Sequence, residues 1–346
     1  MGATMHDVAR VAGVSIKTVS NVINDYPHVR PGTRDRVNEA IEQLDYRPNL
    51  SARGLRSGRT GVIGLAVPSL RENYFAELAD EVIRAAEKRG LGVMVEQTSG
   101  ERDAELRAVT GNRPRFLDGL LFSPVSLGQD DAEALAVDGP LVLLGERIFG
   151  GPTDHVTMHN TSSSQAAVEH LLEIGRRRIA LVGADLHGRD EASSASLRLK
   201  GYLRALEQAG IPLDPALVRP TAMLRWNRAG GAAATHLMVR EGVEFDAVFA
   251  LNDTLGLGVL RALREEGLRV PDDVAVIGFD NIDESNYSVP SMSTVDTGRA
   301  EIAAIAVDRL IARINEKGER RPPDTVKPDF RIVRRESTGF AHTPPE

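Results

Sequence analysis

The sequence predicts a small all-α head followed by an α/β core of two similar lobes built on parallel sheets. Two observations carry this. Residues 4–24, TMHDVARVAGVSIKTVSNVIN, place apolar side chains at helical spacing on both sides of a glycine. From residue 61 onward, short apolar runs alternate with amphipathic helical stretches, which implies parallel sheets with helices on both faces. That alternation runs through twice, hence two lobes. At 346 residues the chain also exceeds one ordinary domain.

In the head, Thr4 can cap the first helix through its hydroxyl, and Ala9 is small where two helices must cross closely. Gly13 supplies the backbone freedom of the turn. Ser15 can cap the second helix, whose inward side is Val19, Val22 and Ile23. Ile16, Lys17 and Asn21 are left on the outward face near the helix start, where a DNA-reading helix meets base edges. Residues 31–45 read as a third helix, begun by Pro31 and turning Val37, Ala40, Ile41 and Leu44 inward. Tyr46-Arg47-Pro48 stops it. Asn49 can cap a short helix through Arg56, with too little apolar surface to be stable alone.

In the core, strands are expected at residues 62–67, 92–96, 119–123 and 141–144, with helices at 75–89, 102–112 and 131–137. The second series has strands at 179–182, 217–219, 247–250 and 274–277 and helices at 164–174, 197–209, 228–240 and 254–266. Breaks rich in Pro, Gly, Ser or Asn suggest lobe crossings at 160–163, 289–293 and 317–323. Helix 299–315 would then return to the first lobe, and strand 330–334 would close the second.

Taken together, DVARVAGVSIKTVSNVIN, VRPGTRDRVNEAIEQLDYRPN and LSARGLRSGRTGVIGLAVP resemble the lactose/galactose repressor family of bacterial transcription regulators. The resemblance implies a helix-turn-helix domain at 1–48, a hinge helix and linker at 49–60, and an effector core at 61–340. That core would have two Rossmann-like lobes, as in periplasmic sugar-binding proteins. Its N-lobe is expected at about 61–160 and 292–320, and its C-lobe at about 161–291 and 321–340. Ile16, Lys17 and Asn21 would read bases, and Thr4, Ser15, Thr18, Ser20 and Thr33 would mainly hold phosphates. Asn24, His28 and Asn49 complete the expected DNA-binding set with Ala52 and Leu55. In the family the hinge orders only on operator DNA, and Leu55 matches the side chain wedged into the minor groove. A surface leucine in a linker is the alternative.

Open α/β sheets bind ligands beyond the carboxyl ends of their strands, here between the lobes. Matching family positions that contact effector are Tyr74 and Phe75, Ser196 and Arg198 in SLRLKGY, and Trp226 in MLRWN. Asn252 and Asp253 in ALND and Asp280 in GFDNI complete the set. Phe75 also fits core packing, Trp226 loop packing, and Arg198 a solvated helix face. An aromatic face with a carboxylate and an amide suits a neutral carbohydrate, with a purine or other non-sugar metabolite as the alternative. One departure is His159-Asn160, where family members commonly carry Asp-Asn.

The net charge of −7 is unevenly spread: residues 1–60 hold nine Lys/Arg against six Asp/Glu. A basic head can approach phosphates while an acidic body discourages indiscriminate binding. Only 5 of the 42 basic residues are lysines, so arginines in the body receive little functional weight. With no cysteine and no His or Asp at metal-ligand spacing, neither cofactor nor metal is expected. An enzyme is disfavoured because GVIGLAVPS lacks the G-x-G-x-x-G fingerprint and no nucleophile–base pair is suggested. The head disfavours a pure solute-binding protein. The expectation is a cytoplasmic, sugar-responsive repressor that binds pseudo-palindromic operator DNA, with no membrane association. It would be a homodimer through residues 61–335, since GFAHTPPE carries no leucine heptad.

Overall fold

The computed structural model describes residues 3–23, 26–46, 59–111, 117–188, 192–221 and 226–341. The chain divides into two compact units, Met1–Gly61 and Val62–Glu346.

In the first unit, α1 (Met5–Ala12), α2 (Ile16–Ile23) and α3 (Pro31–Gln43) enclose a core of Val8, Ala9, Ala12, Val19, Val22, Val37 and Ala40. Tyr46 closes that core as well as following the third helix. Gly13 ends α1 at φ 63°, the left-handed conformation that lets α2 turn back across it.

The second unit holds two six-stranded sheets. The first has the order β11-β5-β4-β3-β1-β2, from β1 (Val62–Val67), β2 (Gly92–Gln97), β3 (Leu120–Phe122), β4 (Leu141–Leu144), β5 (Asp154–Val156) and β11 (Thr325–Val326). The second has the order β12-β10-β9-β8-β6-β7. Its strands are β6 (Ile179–Val182), β7 (Val218–Arg219), β8 (Ala247–Ala250), β9 (Ala275–Phe279), β10 (Ser293–Asp296) and β12 (Arg331–Val333). All pairings are parallel except β10 with β12. Burial on both faces explains the continuous apolar runs. In β4, Val142 and Leu144 face one hydrophobic cluster and Leu141 and Leu143 the other, as the two-residue period of a strand requires.

The lobe crossings differ from those expected. Strand membership places them at residues 157–159, 297–298 and 327–330. The Pro-Ser break at 290–293 is a turn inside the second lobe, held by Met292 N donating to Ser285 O at 2.7 Å and Ser293 N donating to Ser337 Oγ at 2.8 Å. The Pro-rich loop after residue 317 stays on the first lobe. There Arg313 and Arg321 each reach buried Asp154 at 2.7 Å, and Asp324 N donates to the same carboxylate at 3.0 Å. Residues 131–137 do not form an α-helix; a 3-10 helix spans Gln129–Leu135. Among the described residues no helix is long and apolar enough to cross a membrane.

Candidate effector site and DNA-reading head

At the head, Thr4 accepts from Asp7 N at 3.3 Å while Asp7 Oδ2 accepts from Thr4 N at 3.0 Å, a reciprocal capping box. The Thr4 hydrogen bonds, with Arg10 alongside, lower the Asp7 pKa to about 2. Ser15 accepts from Thr18 N at 3.1 Å and starts α2. Lys17 is exposed at the helix start, and Thr18, Ser20, Asn21 and Thr33 are half-buried. Ile16 is not purely outward: it is half-buried and packs against the head core. His28 is exposed, edge-on to Tyr26 at 5.5 Å. Asn24, Asn49, Ala52 and Leu55 lie outside the described residues.

In the core, Tyr74, Phe75, Ser196, Arg198, Trp226, Asn252 and Asp280 all line one cavity of about 470 Å³ between the two sheets. Tyr74 and Phe75 open α4 (Asn73–Glu87), their rings edge-on at 5.3 Å. Phe75 packs against the core as well as facing the cavity. Burial drives the Tyr74 phenol well above its usual range.

Arg198 emerges from α7 (Ser194–Gln208) and is only 4% exposed, which excludes the solvated-face alternative. Its Nε donates to Asn160 Oδ1 at 2.8 Å, its Nη1 donates to the Leu251 carbonyl, and its Nη2 lies 3.7 Å from Asp280 Oδ1. The guanidinium stacks 3.5 Å from the Phe279 ring centroid and 5.4 Å from that of Trp226. Such buried charges are retained only where hydrogen bonds surround them.

Asp280 follows β9 at φ 111°, an unfavourable backbone for a non-glycine residue. Its neighbours over-determine it. Asp280 N donates to Val295 O at 2.9 Å, Arg299 Nη1 donates to Asp280 O at 3.0 Å, and Arg335 Nη2 donates to Asn281 Oδ1 at 2.8 Å. Burial pushes the Asp280 carboxyl up to about 8; Arg198 opposes this, while Asp253 and Glu146 add to it.

Trp226 Nε1 donates to Gly183 O at 2.9 Å, which fixes the indole in place at the cavity wall. Asn252 caps α9 (Asp253–Glu265) by accepting from Leu255 N at 2.8 Å and still faces the cavity. Ser196 receives a 3.1 Å hydrogen bond from Ser193 Oγ. Asp253 departs from expectation, because it does not line the cavity. Its carboxylate is buried beneath, accepting from Thr294 Oγ1 at 2.6 Å and Ile282 N at 2.9 Å, and so ties β10 and the GFDNI loop to α9. His159 begins α6 (Asn160–Glu173) and packs 5.8 Å from the Phe330 ring, joining two crossing segments without lining the cavity.

Beside the cavity the lobes are tied directly. Glu77 accepts from Asp283 N at 3.0 Å and from Arg299, and Arg228 reaches Asn73 and Glu284 at 3.4 Å each. Sequence reasoning missed Glu146 and Thr157, which stand just beyond β4 and β5 and line the cavity. The strand-end rule that found Asp280 would have found both. Burial raises the Glu146 carboxyl above its ordinary range, opposed by Arg198 and Asn160.

Residues 4–49 match the model of bacterial regulatory proteins of the lacI family, and residues 168–338 match a periplasmic binding protein-like domain. The HTH-type transcriptional regulator AscG of Escherichia coli (strain K12) is 33% identical over 338 residues, 96% of this chain and 98% of that protein. The chain belongs to the lacI family. Among solved structures, the lac repressor dimer bound to operator and the anti-inducer ONPF is 30% identical, with a TM-score of 0.82, covering 98% of this chain and 99% of that one. A complex of the transcriptional regulator CelR with cellobiose is 31% identical, with a TM-score of 0.69, covering 97% and 99%. Family membership makes the head a helix-turn-helix DNA-binding domain and the protein a transcription regulator rather than an enzyme.

Proposed function

We propose that this protein is a cytoplasmic repressor that binds a pseudo-palindromic operator as a homodimer and answers to a small neutral carbohydrate held between its core lobes. Residues 1–48 would read DNA, 49–60 would form the hinge, and 61–340 would bind effector and partner. The observation that carries the effector reading is the convergence of Trp226, Arg198, Asp280 and Asn252 on one cavity. An indole face packs on sugar C–H groups, while carboxylate, amide and guanidinium satisfy hydroxyls. The cellobiose complex of CelR, a relative of similar length, supports the same ligand class. Ligand held by both lobes favours one inter-lobe angle over another, and that angle would set whether two hinges meet on DNA.

The test is a salt-dependent gel shift on the promoter of the neighbouring genes, repeated with a panel of mono- and disaccharides, purines and amino acids. A saccharide should change operator affinity and perturb the fluorescence of Trp226, the single tryptophan. Asp280→Ala and Arg198→Ala should remove that response. If only purines or amino acids act, the carbohydrate class is wrong while the site stands.

A further inference from the structure

The turn that carries Asp280 is held from both lobes. Asp280 and Asn281 follow one another at φ 111° and 52°, two positive values in succession without a glycine. The first is strained, and such backbone persists only where neighbouring groups over-determine it. From the second lobe, Val295 O accepts from Asp280 N at 2.9 Å, Thr294 Oγ1 accepts from Asn281 N at 3.3 Å, and Arg335 donates to Asn281 Oδ1. These contacts fix two amides and one side chain. The two carbonyls are held by Arg299, whose Nη1 lies 3.0 Å from Asp280 O and 3.5 Å from Asn281 O.

Arg299 belongs to the first lobe. It opens the helix Arg299–Asn315, which packs on α4 and on β3, β4 and β5 of the first sheet. Its Nη2 donates to Glu77, and the other oxygen of that carboxylate accepts from Asp283 N at 3.0 Å. Glu77 stands three residues after Tyr74 on the same face of α4, the helix whose start forms part of the cavity wall. The Arg299 and Glu77 side chains are 16% and 25% exposed, so water screens their charge-assisted hydrogen bond only in part. Neither side chain lines the cavity. A guanidinium anchored on one lobe therefore holds the carbonyls of a strained turn on the other. A change of inter-lobe angle carries Arg299 and Glu77 away together, and the turn then loses what fixes its two carbonyls.

Resting on the effector reading above, we propose that Arg299, anchored by Glu77, is a positioning residue for Asp280. It holds the Asp280–Asn281 turn in its ligand-binding geometry at one inter-lobe angle and releases it at others. By linkage, a ligand held through Asp280 favours that same angle.

The test uses the full chain and begins without ligand, by amide hydrogen exchange. In Arg299→Gln, the amides of Asp280 and Asn281 should exchange roughly tenfold faster or more, while those of β8 and β9 keep their wild-type rates. Glu77→Gln should speed the same two amides to a smaller extent, although Glu77 touches neither residue. Arg299→Lys, which keeps the charge and one donor, should recover part of the protection. Wild-type exchange at 280 and 281 in Arg299→Gln overturns the proposal. So does equal acceleration throughout the second lobe, which would make Arg299 a general stabiliser of the fold. Calorimetry with cellobiose follows: affinity in Arg299→Gln should fall roughly tenfold, with Arg299→Lys between it and wild type. Undiminished cellobiose affinity in Arg299→Gln also overturns the proposal. If cellobiose does not bind wild type, the exchange result alone decides on the criteria above, and the failure falls on the carbohydrate reading.

Discussion

Arg198 and Asp280 face each other at 3.7 Å with side chains 4% and 9% exposed, one from a helix and the other from the end of a strand. Eighty-two positions separate them in the chain, so only the fold makes them a pair. The cost of burying both is offset by the hydrogen bonds Arg198 makes to Asn160 and Leu251, and by stacking on Phe279.

The first prediction concerns pH. The Asp280 carboxyl is raised from 3.8 to about 8 in the folded chain, so the native state holds a proton that the unfolded state has released. Stability from this group is present at low pH and is lost as pH climbs from near 3.8 through about 8. Asp280→Asn, a mimic of the protonated form, should therefore melt increasingly above wild type as pH rises through that window. A difference that stays constant with pH would sink the assignment.

Base reading is the second. Lys17 can donate to guanine and Asn21 can pair with adenine, each contact contributing roughly 1–3 kcal/mol of discrimination. Operator selection with Lys17→Ala and Asn21→Ala should return altered preferred bases. Variants that keep the wild-type site and only bind it more weakly would assign both residues to the backbone. Ile16, partly engaged with the head core, should show a mixed loss of stability and specificity.

Close helix packing supplies the third. A Cβ on Gly201 would lie 2.3 Å from Thr161 O and 2.8 Å from Ser164 Cβ, so α6 and α7 can approach only because that side chain is missing. Gly201→Ala should cost at least about 1–3 kcal/mol, because the obstacle is helix backbone rather than a movable side chain. Thermal unfolding at the wild-type temperature would contradict it.

The hinge provides the fourth, and it rests on sequence alone, since residue 55 lies outside the described residues. Leu55→Ala should weaken operator binding and reduce the bend of the DNA, because an inserted apolar side chain kinks the duplex. Ligand affinity measured on the same preparation should not move. Undiminished bending in a circular-permutation gel assay would remove the wedge.

Much of this molecule was readable from local patterns. Helical spacing, the Thr4 cap and Gly13 determine the head, because caps and turns act within a few residues. Alternating apolar strands and amphipathic helices determined the two-lobed core for the same reason. The strand-end rule, joined to the resemblance, also placed seven side chains that do share one cavity. Tertiary structure decided the rest. Strand β10 reads STVD and was not expected as a strand, yet it is buried because Thr294 Oγ1 donates to Asp253, Ser293 Oγ bonds Thr338 Oγ1 and Ser293 N donates to Ser337 Oγ, all on distant segments. Strand β11 is two residues long and joins the first sheet because Asp154 gathers Arg313, Arg321 and the backbone of Asp324 around itself. Asp253 and Asp280 both follow strands, and nothing local tells the structural carboxylate from the cavity-lining one. The difference lies in which partners reach each group, and those partners are set by how separate segments pack.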